Sequence, residues 1–518
     1  MSASPGSRRG YGPHRWRRRL ASLLTVCGVC AALAACTERD DHALRFGLAA
    51  MPVTLDPRFA TDAASARIVR LLYRQLADFN DQEMPVPALA TWERVDARHY
   101  HFVLREDRSL FSDGQRVRAL DVKATYDSVL DAATASPHRA SLVNIDRIQI
   151  DGEDAVDFYL HDPDILFPGR LTIGILPAQL IRNGHSFVTD PVGSGPFELE
   201  SRPAENRLKL KRRRDGQEIE FIGVPDPTVR VLKLLRGEVD MLQNDLPPEM
   251  LAFLDARDDA TVTRARGTNF AYLGFNLQDP IVGRLAVRRA IAMGVDRNSI
   301  IRYVLGGAAR PANTLLVPNH WAGDPELPVI AYDPVGAMRL LKEAGYDAEH
   351  RPRIVYKTST DPFRLRLATI IQYQLDLIGI DVELRSYDWG TFYGDIKQGN
   401  FQMFSLMWVG VKLPDIFHYV FNSDSVPPQG ANRGRYSSPI ADALIRKAEA
   451  AETIAGQAAA YRELQALLLQ ELPYVPLWHE DQVFIARPDI VGYRIANDGN
   501  YDGLAYVHRA PRGRTGGA

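Results

Sequence analysis

The chain has 518 residues, with 62 basic and 64 acidic side chains and a formal net charge of −2. Hydrophobic residues make up 46% and charged residues 24%, the balance of an ordinary globular chain long enough for two or three domains. A chain with that charge is a poor nucleic-acid binder, because phosphate contacts dominate that affinity, and three cysteines are too few for a disulfide scaffold.

The first 36 residues form a leader. Six arginines between Arg8 and Arg19 precede an apolar run from Leu20 to Ala35, with no acidic residue between. This is the layout of a signal peptide: a basic region, a short apolar region and a small-residue cleavage site. The ending Leu33-Ala34-Ala35-Cys36 resembles a bacterial lipobox, in which Cys36 is diacylated and becomes the mature N-terminus. An uncleaved anchor is the other reading, but the run is shorter than the roughly 20 residues a spanning helix needs. Cys27 and Cys30 have redox-motif spacing but lie inside the apolar core of the leader, so no redox chemistry is read there. Cleavage leaves a chain with no cysteine beyond the lipidated one and 56 basic against 64 acidic residues. It would be exported and tethered to the outer face of a membrane.

The remaining elements alternate between strand and helix patterns. Leu44–Leu48 reads as a first strand. Ala63–Phe79 carries Ile68, Leu71, Leu72 and Leu76 at helical spacing. His99–Leu104 alternates as a strand should, and Asp121–Leu130 reads as a helix with Asp121 as N-cap. Ile145–Ile150 and Ala155–Leu160 flank Asp151-Gly152-Glu153-Asp154, a hairpin signal. Leu285–Val304 and Pro334–Ala344 are amphipathic, the second entered through Asp333-Pro334. Arg364–Ile378 is a further helix, followed by the strand Asp381–Tyr387. The Gly/Arg-rich end reads as a frayed tail. The mixture argues for an α/β chain rather than a helical bundle or a sandwich.

Segments in one order along the chain carry a resemblance. They are Phe46–Pro57 with its Pro52-Val53-Thr54-Leu55-Asp56-Pro57 loop, Pro87–Glu93, Phe111-Ser112-Asp113-Gly114, Pro191–Phe197, Tyr272–Asn276, Val287–Arg297, Tyr332–Tyr346 and Pro473–Trp478. Together they resemble the extracellular solute-binding proteins of peptide ABC importers, the dipeptide/oligopeptide/nickel-binding family. The resemblance covers about residues 44 to 508. It implies an α/β, two-lobed periplasmic-binding-protein fold with a hinged cleft and an extra inserted domain. Residues 1–35 would be the lipoprotein signal peptide and 36–43 a tether. Lobe I would comprise 44–79, 186–271 and 479–508, the inserted domain 80–185, lobe II 272–478, and a disordered tail 509–518. The implied partners are a peptide or peptide-like solute, ABC permease and ATPase subunits, and a membrane through the N-terminal lipid. The chain would act as a monomer on the periplasmic or extracytoplasmic side, with no nucleic acid and no cofactor.

A peptide brings an ammonium, a carboxylate and backbone polar groups, and a cleft enclosing it must pair each buried charge. The resemblance implies ligand-contact candidates. Asp415, in Met407–Asp415, is the best-placed partner for the ammonium, or else a turn residue after Pro414. The family often has an earlier acidic residue here; Val411 and Lys412 replace it, and Lys412 suits a ligand with an anionic group. Trp408 either walls the cleft or packs in the core. Tyr272 and Asn276 sit where the family's crossover strand borders the ligand. Thr54 and Leu55 lie in the loop after the first strand. Ser194 offers a hydroxyl from Gly193-Ser194-Gly195 or serves only a tight loop. Arg364 suits a ligand carboxylate through bidentate pairing, or is a solvated helix arginine. Asn432–Tyr436 either seals the cleft or is an exposed loop.

No metal site is read from the sequence: the twelve histidines form no zinc-type pair, and His479-Glu480 lacks a second histidine. Gly193-Ser194-Gly195 is not a nucleophile elbow, and no catalytic constellation or nucleotide-binding loop can be assembled. The reading is therefore a transport receptor and not an enzyme. The alternatives are the same fold serving a sensor or chaperone, or a lipid-anchored hydrolase.

Overall fold

The strand Leu44–Leu48 lies between two parallel neighbours, Glu218–Gly223 and Met241–Gln243. A strand paired on both edges and covered on both faces buries consecutive residues, which explains its apolar run. In the computed structural model, which describes Gly6 and residues 43–107 and 110–511, this strand belongs to a large mixed sheet. The leader run Leu20–Ala35 and Cys36 lie outside the described residues.

Among the described residues this sheet has eleven strands. In spatial order they are Asp381–Tyr387, Arg353–Ser359, Met403–Trp408, Thr261–Phe275, Tyr474–Ala486, Met241–Gln243, Leu44–Leu48, Glu218–Gly223, Arg207–Arg212 and Phe197–Ala204, with Ala309–Pro311 pairing beside Tyr474–Ala486. Thr261–Phe275 and Tyr474–Ala486, of 15 and 13 residues, run antiparallel through both halves. Their pairing shifts register between Ala265 and Asn269, where Gly267 lies against the Glu480 backbone. These two strands carry the chain between two lobes, each with its own core.

Period two along Thr261–Phe275 builds lobe II. Phe270 and Tyr272 face a core with Phe404, Phe417 and Tyr461, whereas Ala271, Leu273 and Phe275 face a second core with Ile291, Ile354 and Ile371. Gly274 completes the first face: a Cβ there would stand 2.4 Å from the Phe404 ring. Each such aromatic or aliphatic side chain contributes roughly 1.5–3 kcal/mol on burial. Lobe I is built around Phe46, Phe221 and Tyr501 on one sheet face, and Ile222, Leu242 and Ile485 on the other.

A separate antiparallel sheet orders Ala90–Asp96, His99–Leu104, Ala155–Leu160 and Ile145–Asp151. The helix Ala119–Leu130 packs on its inner face, where Tyr100, Phe102, Tyr126 and Phe158 meet. This sheet and helix fall within residues 80–185.

Several local expectations are corrected. The first helix is Ala63–Leu72 and not Ala63–Phe79. Tyr73 turns extended, the Leu72 carbonyl accepts from Gly195 N at 2.8 Å, and Ala77–Phe79 forms a strand with Pro85–Pro87. Helix Ala119–Leu130 starts two residues earlier than expected. Arg118 is its N-cap, and Asp121 instead accepts from Arg118 N at 2.8 Å inside the first turn. Leu285–Val304 is not one helix. It breaks after Gly294, where buried Arg297 donates to the carbonyls of Pro476 at 2.8 Å and Ala292 at 2.9 Å. Burial lowers the Arg297 pKa to about 10, still well above neutrality, so these bonds keep their cation. The expected tail boundary at 509 is too early. Arg509 pairs with Asp240 at 2.9 Å, and Ala510 N donates to the Asp489 carbonyl at 2.7 Å.

Candidate functional site

The two lobes meet around a cavity of about 580 Å³. Lobe I supplies Arg67 from the first helix and the Asn244–Pro248 segment; lobe II supplies Asp361, Phe363, Arg364, Met407 and Val409; Glu480–Val483 crosses between them. Asn244 and Asp245 have φ of 55° and 54°, the left-handed region that Asn and Asp tolerate best among residues with a side chain. That turn lets Asn244 donate to Gln482 Oε1 at 2.6 Å and accept from Val483 N at 2.8 Å, holding the wall to the crossover strand. A second cavity of about 380 Å³, lined by Arg70, Tyr73, Phe79, His138 and Lys412, also reaches from lobe I to lobe II. A third, of about 210 Å³, runs into lobe II among Tyr356, Trp389, Ser405 and Trp478 and shares Arg364 and Met407 with the first. The two larger volumes suit small ligands.

Charge is organised around the cavities in pairs. Arg364 Nη1 lies 3.3 Å from Glu480 Oε1, which also accepts from Trp478 Nε1 at 3.4 Å. Asp361 caps the helix Pro362–Leu377 by accepting from Arg364 N at 2.8 Å, so the first turn that carries Arg364 is fixed. Beside this pair, Asp481 bonds Arg310, whose Nη2 donates to Gly267 O at 2.8 Å. Arg67 stands over the Tyr501 ring at 5.4 Å.

The loop after Met403–Trp408 is tied to the other side of the cleft. Lys412 Nζ lies 2.6 Å from Asp498 and 3.5 Å from Glu83, over the Phe79 ring at 4.9 Å. Burial works against the Lys412 charge, but the two carboxylates outweigh it and its pKa stands above the ordinary value. Burial also opposes ionisation of Asp498, yet the Lys412 ammonium holds its pKa below the usual carboxylate value. For the more distant Glu83, burial wins and the pKa is raised. Three residues further, Asp415 Oδ2 accepts from Arg170 Nη1 at 2.6 Å, and Arg170 Nε donates to Asp164 at 2.5 Å.

Of the ligand-contact residues expected from sequence, Arg364 lines the first and third cavities and Lys412 the second; Thr54, Leu55, Ser194, Tyr272, Asn276, Trp408 and Asp415 line none of them. Thr54 is buried, and its Oγ1 accepts from Asp56 N at 3.1 Å. Leu55 is fully buried in the lobe I core with Phe46. Ser194 is also fully buried: Gly193 and Gly195 pack so close to the end of the first helix that a Cβ would meet the Leu72 or Leu71 carbonyl within 2.3 Å. Tyr272 stacks on Tyr474 at 4.0 Å, and its hydroxyl accepts from Arg433 at 3.2 Å. Asn276 donates to Gly399 O at 3.3 Å and accepts from Gln278 N at 3.1 Å, a strand-end turn. Trp408 lies against Arg433 at 5.0 Å, on the strand face opposite Met407. Asp415 is partly exposed and holds Arg170. Asn432 and Arg433 are buried, so that segment is not an exposed loop.

Sequence reasoning missed Arg67, Arg170, Glu480 and Asp498. Arg67 and Arg170 carry no signal beyond polarity. Glu480 had one: in the alternating return strand it follows Trp478 by two residues, which puts both on one face.

Comparison with known proteins agrees with this geometry. The family description "Bacterial extracellular solute-binding proteins, family 5 Middle" matches residues 84–426. The di/tripeptide-binding protein 2 of Pseudomonas aeruginosa is 29% identical over 503 residues, covering 90% of this chain and 92% of that protein. The crystal structure of NikA from Brucella suis in complex with Fe(III)-EDTA superposes with a TM-score of 0.82 at 24% identity, over 90% of this chain and all of that one. The dipeptide-binding protein from Pseudoalteromonas sp. SM9913, in complex with Met-Leu, gives 0.75 at 23% identity over the same shares. With two lobes joined by paired crossover strands around a charged cavity, and the family pattern matched over more than half its length, the chain belongs to the bacterial extracellular solute-binding proteins of family 5.

Proposed function

We propose that this protein is the lipid-anchored solute receptor of an ABC importer, taking a peptide or peptide-like solute into the interlobe cavity and presenting the closed form to a membrane permease. The observation that carries the reading is the Arg364–Glu480 pair in the cavity wall. A zwitterionic solute inserting there exchanges one internal ion pair for two: its carboxylate meets Arg364 and its ammonium meets Glu480. The exchange leaves no buried charge alone, which is the condition for enclosing a charged solute. Bidentate geometry favours arginine for the carboxylate. Asp415 is a second acidic anchor at the margin, reached when Arg170 releases it. The relatives named for binding dipeptides and tripeptides support this solute class. Closure is a hinge motion about the two crossover strands. The receptor acts as a monomer, and ATP is consumed by a separate subunit. The leader supports export and a lipid at Cys36.

The test is calorimetry on residues 37–518 with free, N-acetylated and C-amidated versions of the same di- and tripeptides. Free peptides should bind, and each blocked end should cost at least tenfold. Equal affinity for free and C-amidated peptides removes the role given to Arg364.

A further inference from the structure

The inserted sheet carries on its outer face a cluster that the cleft does not use. His99 and His101 are two apart on one strand and therefore project from the same face. The neighbouring strand places Asp157 directly opposite His101 and Tyr159 opposite His99. Asp157 Oδ1 receives both imidazoles at once, His99 Nε2 at 2.7 Å and His101 Nδ1 at 3.0 Å. Donor atoms of His101, Asp157 and Asp151, the last from the next strand, all lie within 4.8 Å of one another. On the other side of His101 the register places Glu93.

We propose that this cluster is a binding site for a borderline divalent transition-metal ion, with His101, Asp157 and Asp151 as its ligands and His99, hydrogen-bonded to Asp157, as a fourth donor that moves in to close on the ion. Three observations support it. First, donors at about 2.1 Å from a common ion stand about 3.0–3.4 Å apart, so the His–Asp separations need little adjustment once the ion replaces the ring protons. Second, the site is held before the ion arrives. The His99 ring stacks on Tyr159 at 4.3 Å with a 16° interplanar angle, and His99, His101 and Asp157 are only 15–29% exposed, while Asp151 stands at the exposed rim. Third, two imidazoles with carboxylates select zinc, nickel, copper or cobalt over magnesium or calcium, which take oxygen shells. None of these residues lines the interlobe cavities, so the site is separate from the solute site. The ion would bridge three strands of the sheet. On a strand the counterpart of a helical histidine pair is His-x-His, the spacing of His99 and His101.

The experiment titrates untagged residues 37–518 with zinc chloride and nickel chloride at pH 7.5, by calorimetry and by competition with a chromophoric chelator. Wild type should bind one equivalent in the micromolar range or tighter. His101→Gln and Asp157→Asn should each weaken it at least tenfold, and Arg364→Ala should leave it unchanged. Thermal unfolding without metal checks that the variants fold, and the glutamine variant keeps a hydrogen bond to Asp157. X-ray absorption of the zinc form should show two imidazoles. Absence of binding to wild type, or equal affinity in His99→Gln, His101→Gln and Asp157→Asn, overturns the site and leaves a plain hydrogen-bonded trio. Loss of the ion on Arg364→Ala would place it in the cleft and likewise overturn it.

Discussion

Lys412 of lobe II puts its ammonium 2.6 Å from the Asp498 carboxylate on the opposite side of the cleft, with 22% and 8% of the two side chains exposed. A cation of the protein itself thus occupies an acidic position at the cleft margin. The pair fastens the loop that follows Met403–Trp408 to the segment that follows the second crossover strand.

Removing one partner leaves the other charge buried and alone, which typically costs 3–5 kcal/mol. Lys412→Met should therefore destabilise by about 3 kcal/mol in urea unfolding. Adding Asp498→Asn should recover much of that loss, because the orphaned charge is gone. Strict additivity of the two substitutions would mean that the pair does not couple the lobes.

Arg364→Ala removes the cavity-wall guanidinium and frees Glu480. Peptide affinity should fall by about 2–5 kcal/mol, the usual cost of truncating a buried charged contact. Stability should change by less than 1 kcal/mol, since the arginine is partly exposed and its pairing is screened. Calorimetry and thermal unfolding on the same sample separate the two effects.

Stability should fall in mild acid. Burial lowers the His320 pKa to about 4, and burial followed by the Arg310 charge lowers that of His479 to about 3. Both residues fold neutral, so their contribution is complete above the unfolded value of about 6.5 and is lost as pH falls from there toward 4 and 3. From pH 7.5 to 5 each should cost about 2 kcal/mol. His320 Nε2 also contacts the Lys412 carbonyl at 2.9 Å, so the cleft loop should loosen over the same range. His320→Gln should flatten that part of the pH profile in urea titrations.

Cys36→Ser should release the protein from membranes into the soluble extracytoplasmic fraction. Tight attachment of the variant after carbonate washing would contradict lipidation at that residue.

The fold was legible where one element carries a single pattern. Leu44–Leu48 and His99–Leu104 have the expected bounds, because apolar continuity and alternation are local properties. Helix ends were less so: Leu72 ends its helix on a contact with Gly195, more than a hundred residues away. The site was hardest. Tyr272 lies on a crossover strand, as expected, but a one-residue change of face separates cleft from core, and its face belongs to Tyr474 and Arg433. Arg364 and Glu480, or Lys412 and Asp498, meet across long sequence separations, so their pairing leaves no trace in spacing.

The central claim is that the interlobe cavity receives a peptide. Its most direct test is calorimetric titration of purified residues 37–518 with free di- and tripeptides, repeated on Arg364→Ala. One saturable site per chain, weakened at least thirtyfold in the variant, is the predicted result. No heat and no thermal shift across the peptide panel, with wild type and variant alike, would contradict it.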